Sequence, residues 1–302
     1  MKLKSIFAAP FLLIAVLTLL SVSGTIDPAR LGMADNPYLA LVIVQLIVYA
    51  LPIAFFCRLR GADYTKGLRL RLFRANHLFF MLLAVIAMIA GSALINLAMF
   101  RLFPGGYVGS VPSVTAGGQD LFFAVVALAV LPALTEELLF RGIVLTEYQS
   151  VSVPFAVIIS SLLFAMIHLN LARLPAYFFC GILLAVVAYA TRSVFASMIV
   201  HLLNNVVALF LDRFVYSVAG NTEGRSVLLS FILCCVLFIS LVLMFMEAQR
   251  IYSGYGVTGV RSPYVRSGKK TNAPGAMDAL IAPPFVAFII LFIVISLLSI
   301  QW

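Results

Sequence analysis

The chain has 302 residues, 64% of them hydrophobic and only 10% charged. That balance excludes a soluble globular domain, and apolar runs near the ~18-residue spanning threshold recur along the chain. The net charge of +9 does not signal nucleic acid, because the basic residues lie mostly in loops between apolar runs and form no stripe with interleaved aromatics.

In chain order, about nine spans are predicted, near 6–22, 38–57, 77–100, 120–147, 153–170, 174–190, 193–211, 227–247 and 279–300, each by its length of apolar sequence. The expected fold class is therefore all-α, a polytopic transmembrane helical bundle of about eight to nine spans. It divides into N-terminal spans with a basic loop (1–76), a membrane core (77–247), and a basic linker with a last span (248–302). The first apolar run follows Lys2 and Lys4 and precedes Ser21-Val22-Ser23-Gly24, a pattern shared with secretory signal peptides. A chain with this many spans needs no cleaved signal, so a retained span is expected.

Loop charge orients the bundle. Arg58, Arg60, Lys66, Arg69, Arg71 and Arg74 face a lone Asp63 in 58–76. Arg250, Arg261, Arg266, Lys269 and Lys270 dominate 248–278. By the positive-inside rule both stretches are cytoplasmic. The stretches 23–37, 101–119 and 212–226 are poor in Lys and Arg and are expected outside. This places the N-terminus in the cytoplasm. Residues 252–276, rich in Gly, Ser and Pro, read as a mobile linker beside anionic lipid. Cys57, Cys180, Cys234 and Cys235 form no CxxC pair and read as small packing residues. His77 follows the basic loop and reads as an interfacial residue.

Few ionisable residues remain inside spans: Glu136, Glu137, Arg141, His168 and His201. A charge near the bilayer centre costs roughly 2.5–3.5 kcal/mol on insertion scales, so these residues need partners or a chemical task. Glu137 and Arg141 are four apart and share a helix face, where they can neutralise each other. Glu136 points about 100° away from Glu137, so it looks into a polar cavity or stays protonated. His201 and Asn205 share a face on the seventh run, with Asn204 beside them. At about 1.5 Å rise per residue, Glu136, His168 and His201 can reach one layer of the bilayer. A cavity among the fourth, fifth and seventh helices would supply water. A carboxylate, two imidazoles and a carboxamide at one depth suit hydrolysis better than packing.

The spaced residues Glu136-Glu137-x-x-x-Arg141, Phe164-x-x-x-His168 and His201-x-x-x-Asn205 resemble, in order, the three motifs of the type II CAAX prenyl protease family, also called CPBP or Abi intramembrane proteases. The resemblance covers the core rather than the first two or the last spans. It implies a membrane-embedded endopeptidase acting on a membrane-associated or lipidated protein or peptide. It casts Glu136 as the base that activates water, aided by His168. His201 and Asn205 would then donate to the developing oxyanion, and Glu137 with Arg141 would hold the first motif in position. A bacterial inner-membrane protein is expected, with lipids and a peptide substrate as its partners and no nucleic acid.

A zinc route uses the same residues: Glu136, His168 and His201 could hold the metal with a water in the fourth position. The chain lacks HExxH, and Glu137, the base left over in that route, already has Arg141 as a partner. The preferred reading requires no cofactor. Two rivals stand beside the protease: a scaffold or immunity protein of the same fold without cleavage, and a proton-coupled transporter. The absence of an internal repeat weighs against the transporter.

Overall fold

The computed structural model describes residues 5–25, 37–103, 119–221, 223–257 and 275–299, and among them every regular element is a helix. In lipid the backbone must satisfy its own hydrogen bonds, and a helix does so within one segment. The helices are α1 (Ser5–Ser23), α2 (Pro37–Arg60), α3 (Ala62–Lys66), α4 (Ala75–Leu102), α5 (Leu121–Tyr148) and α6 (Val153–Ile167). They continue as α7 (Leu174–Thr191), α8 (Val194–Asn221), α9 (Glu223–Val257), α10 (Ala276–Leu280) and α11 (Pro283–Ser299).

Among the described residues, α2, α4, α5, α7 and the 227–255 part of α9 are long and apolar enough to cross a membrane. Shorter apolar helices cover Phe7–Ser23, Val153–Ile167, Val194–Phe210 and Pro283–Leu298. Large apolar side chains on α9, such as Phe231, Phe238 and Phe245, are exposed, as suits a face against lipid rather than water.

Two boundaries differ from the sequence reading. The stretch 212–226, expected as an outer loop, is mostly the end of α8 and the start of α9. Hydropathy marks where a helix can leave the bilayer, and backbone hydrogen bonding continues past that point. The expected linker from 252 begins as the last turns of α9, where the buried Tyr255 donates its hydroxyl to the Ala190 carbonyl at 3.0 Å. The Arg192 guanidinium lies 3.8 Å from the centre of the same ring, a cation–π contact. Residues 258–274 of that linker lie outside the described residues.

The basic stretch 58–76 also differs. Arg60 pairs with the buried Glu147 at 2.6 Å. The buried Arg69 donates to Gln149 at 2.5 Å and lies over the Tyr189 ring. Two of its six cations are thus turned inward onto α5 and α7. Counting charges within one loop misses a carboxylate supplied by a distant segment. His77, read as interfacial, is buried and meets Tyr255 edge-on.

The helix α4 sits in the middle and packs against α7, α8 and α9. Its Gly91 lets α7 approach, since a Cβ there would fall 2.2 Å from Cε1 of Phe179. A second close crossing joins α6 to α7: a Cβ on Gly181 would fall 2.9 Å from Cβ of Ser161. Small residues at such crossings let backbones meet where no hydrophobic effect separates protein from lipid. Helix α5 is α-helical through Leu131–Glu137 and widens to π geometry over Leu138–Val144. There the Phe140 carbonyl accepts both the Leu145 N–H and the Ser160 hydroxyl, the latter at 2.9 Å. That bond ties the widened turn to α6. Inserted π turns of this kind occur often at functional sites.

Candidate active site

Glu136 and Glu137 are the last α-helical residues of α5 before the π turn. Successive residues on a helix diverge by about 100°, and the two carboxylates go to opposite sides of a wall. Glu137 is fully buried behind it, and Glu136 lines a cavity of about 320 Å³. Nη1 of Arg141 donates to Oε1 of Glu137 at 2.6 Å, and its Nη2 donates to the Gly181 carbonyl at 2.9 Å. Arg141 is itself fully buried. The Gly181–Ser161 crossing draws α6 and α7 together at the helix whose carbonyl Arg141 reaches.

The Phe164 ring joins the three motifs. Its edge contacts include both imidazoles, His168 at 4.9 Å and His201 at 5.7 Å between ring centres, and Arg141 lies 4.5 Å over its face. Its backbone carbonyl accepts from Nδ1 of His168 at 2.8 Å. A carbonyl only accepts, so that nitrogen carries the proton and Nε2 of the neutral ring is the basic one. Nε2 lies 3.8 Å from Oε2 of Glu136. The gap is too long for a direct hydrogen bond, and one water standing beside the pair can touch both groups. Among the described residues, Oε2 of Glu136 has no hydrogen-bond partner.

His201 faces two ways. Its Nδ1 lies 2.9 Å from Oε1 of Glu137, and its ring also lines the cavity. Asn205, one turn further along α8, lines the same cavity. The structure therefore brings Glu136, His168, His201 and Asn205 to one chamber, and sets Glu137 and Arg141 behind it. One expected detail differs. The imidazole of His201 spends a nitrogen on Glu137 and is not free to point wholly at an oxyanion.

The fifth run, expected to continue to 170, ends as a helix just before His168. His168 caps α6, which ends at Ile167, and the next residue, Leu169, has φ 51°. A branched residue in that left-handed region is unfavourable, and here it turns the chain abruptly so that His168 faces the chamber.

The sequence reading missed several lining residues. Tyr177 stacks on His168 with ring centres 4.0 Å apart and planes 24° from parallel. Arg173 lines the cavity and is buried, although its place between apolar runs reads as a loop charge. Gln45 reaches in from α2 and donates to the Ala127 carbonyl at 3.3 Å. Ser92 and Asn96 come from α4. A lone amide or tyrosine in an apolar run was the available signal, and it is shared with many residues that merely join helices.

The zinc candidates Glu136, His168 and His201 meet around the chamber without forming a ligand set. Among the described residues, no three His, Cys, Asp or Glu side chains are grouped so as to hold a metal ion.

Comparison with known families decides the setting. Residues 118–207 match the family described as type II CAAX prenyl endopeptidase Rce1-like. The chain carries an Rce1-like domain. No curated protein and no solved structure matches the chain. The Rce1-like domain and the apolar helices together identify an integral membrane protein, and the family description implies a CAAX-type membrane protease. Every motif residue lies inside the Rce1-like domain, as do Arg173 and Tyr177. Gln45, Ser92 and Asn96 lie outside it, so α2 and α4 complete the chamber from beyond the matched segment.

Proposed function

We propose that the protein is an intramembrane endopeptidase that hydrolyses a peptide bond of a membrane-associated or lipidated protein or peptide. One observation carries the reading: the unpartnered Oε2 of Glu136 stands 3.8 Å from Nε2 of His168 in a chamber large enough for water and a peptide segment. Glu136 takes a proton from a water that His168 also holds, and the resulting hydroxide attacks the scissile carbonyl. The carboxamide of Asn205 donates to the oxyanion, with His201 assisting when its ring is protonated. The protonated Glu136 then passes its proton to the leaving amine. Glu137, held by Arg141 and His201, fixes the backbone turn from which Glu136 projects. This route uses the side chains alone and calls on no metal.

The same reading gives the four shorter apolar helices as further spans, making about nine, with the N-terminus in the cytoplasm of a bacterial cell and lipids as neighbours. The experiment compares membrane proteomes of cells carrying the wild type or Glu136→Gln. A peptide terminus made only with the wild type is the expected result. Identical sets of termini, with both proteins present at equal level in the membrane, would overturn the reading.

A further inference from the structure

A second cavity, of about 360 Å³, lies where α4 begins and α9 ends. Arg74, Asn76, His77, Arg250, Ile251 and Tyr255 line it. Arg74 and Arg250 are exposed. His77 is 2% exposed, and among the described residues its Nδ1 has no hydrogen-bond partner. Arg250 donates through Nη2 to the Asn76 carbonyl at 3.0 Å, which fixes its guanidinium on the rim, and through Nε to Glu247 at 2.7 Å. One carboxylate thus offsets part of the charge of two arginines, and the pocket keeps a positive balance. The N-terminus of α4 adds the positive end of a long helix.

A buried imidazole nitrogen without a partner, two guanidinium groups and a helix N-terminus together suit an oxyanion, phosphate above all. The location selects its carrier. The pocket sits at the ends of two spanning helices, so it opens at the membrane surface. Leu78, Phe79 and Leu82 on α4 and Phe245 and Met246 on α9 are exposed just beyond it. Their apolar side chains extend from the pocket along the helices, where acyl chains would lie. We propose that this pocket binds the phosphate of an anionic phospholipid, with Arg74 and Arg250 on the headgroup and His77 donating from beneath. The site is separate from the catalytic chamber and shares no lining residue with it.

The test is native mass spectrometry of the full-length protein released from mixed nanodiscs of phosphatidylglycerol and phosphatidylcholine. The expected result is preferential retention of phosphatidylglycerol, reduced about five-fold by Arg74→Gln and about five-fold again by Arg250→Gln, on the scale of one basic residue at an anionic surface. Arg58→Gln, an exposed cation on α2 away from the pocket, should leave retention unchanged. No preference in the wild type overturns the proposal, as does an equal loss in Arg58→Gln, which would mark diffuse attraction. Displacement of the lipid by millimolar inorganic phosphate would assign the pocket to a free anion and overturn the lipid assignment. Because Arg74 is exposed, its variant should fold normally, and an unchanged helical circular dichroism spectrum checks this.

Discussion

Nδ1 of His201 lies 2.9 Å from Oε1 of Glu137, the same oxygen that receives Nη1 of Arg141. The third motif is therefore fastened to the first from behind the chamber wall. A carboxylate only accepts, so this nitrogen of His201 carries a proton, and in the neutral ring the other nitrogen is a lone pair. Neutral His201 cannot donate to an oxyanion through that second nitrogen. The carboxamide of Asn205 keeps its N–H donors whatever the charge on the histidine, so it is the better placed of the two for that task.

Asn205→Ala should then lower kcat by about 10²–10³ fold, the usual cost of one oxyanion donor, with a smaller change in KM. Single-turnover cleavage by purified protein reads this directly. A change confined to KM would make Asn205 a substrate-binding residue instead.

Removal of the proposed base should be as severe. Glu136→Gln keeps the shape of the side chain and removes its ability to take a proton, so cleavage should fall by about 10²–10⁴ fold. Thermal stability should barely move, since Oε2 of Glu136 has no hydrogen-bond partner to lose. An active Glu136→Gln enzyme would transfer the role of base to His168.

The buried pair behaves differently. Arg141→Ala leaves the Glu137 carboxylate fully buried with half its support gone, and breaking such a pair costs about 3–5 kcal/mol. Arg141→Lys should rescue little, because one ammonium cannot reach both Glu137 and the Gly181 carbonyl as the guanidinium fork does. Thermal unfolding in detergent should therefore show both variants well below wild type. A near-normal Arg141→Lys would mean that charge alone suffices.

Tyr177 orients His168 by stacking, and aromatic pairs of this type are worth about 0.5–1.5 kcal/mol. Tyr177→Phe should be close to wild type in rate, and Tyr177→Leu should lose about two- to ten-fold in kcat, on the same energy scale. Equal loss in both variants would point to the hydroxyl rather than the ring.

Treatment with EDTA or 1,10-phenanthroline should leave the activity of purified protein intact. Loss restored by added zinc would favour the metal route through Glu136, His168 and His201.

The sequence made much of this architecture readable for physical reasons. Apolar runs locate helices in a bilayer because no other segment can satisfy its backbone there; each expected run overlaps a helix, and among the described residues five of these are long and apolar enough to cross a membrane. The Glu137–Arg141 contact follows from helical spacing alone. Other features were beyond local pattern. The pairing of Arg60 with Glu147 joins residues 87 apart, and no loop-by-loop charge count can find it. The turn at Leu169 that presents His168 uses a backbone conformation foreign to leucine, so propensity extends the helix past it. The partnership of His201 with Glu137 depends on how α5 and α8 pack, which depth along each helix does not fix.

The contribution of Gln45, Ser92 and Asn96 to the chamber carries an evolutionary consequence. In the proposed mechanism every group that acts on the bond falls within 118–207, whereas part of the chamber wall belongs to helices encoded earlier. Drift in those outer helices can retune which polypeptides are admitted while the hydrolytic apparatus stays as it is. Grafting the Rce1-like segment onto foreign neighbours would then transplant the cutter and leave its discrimination behind.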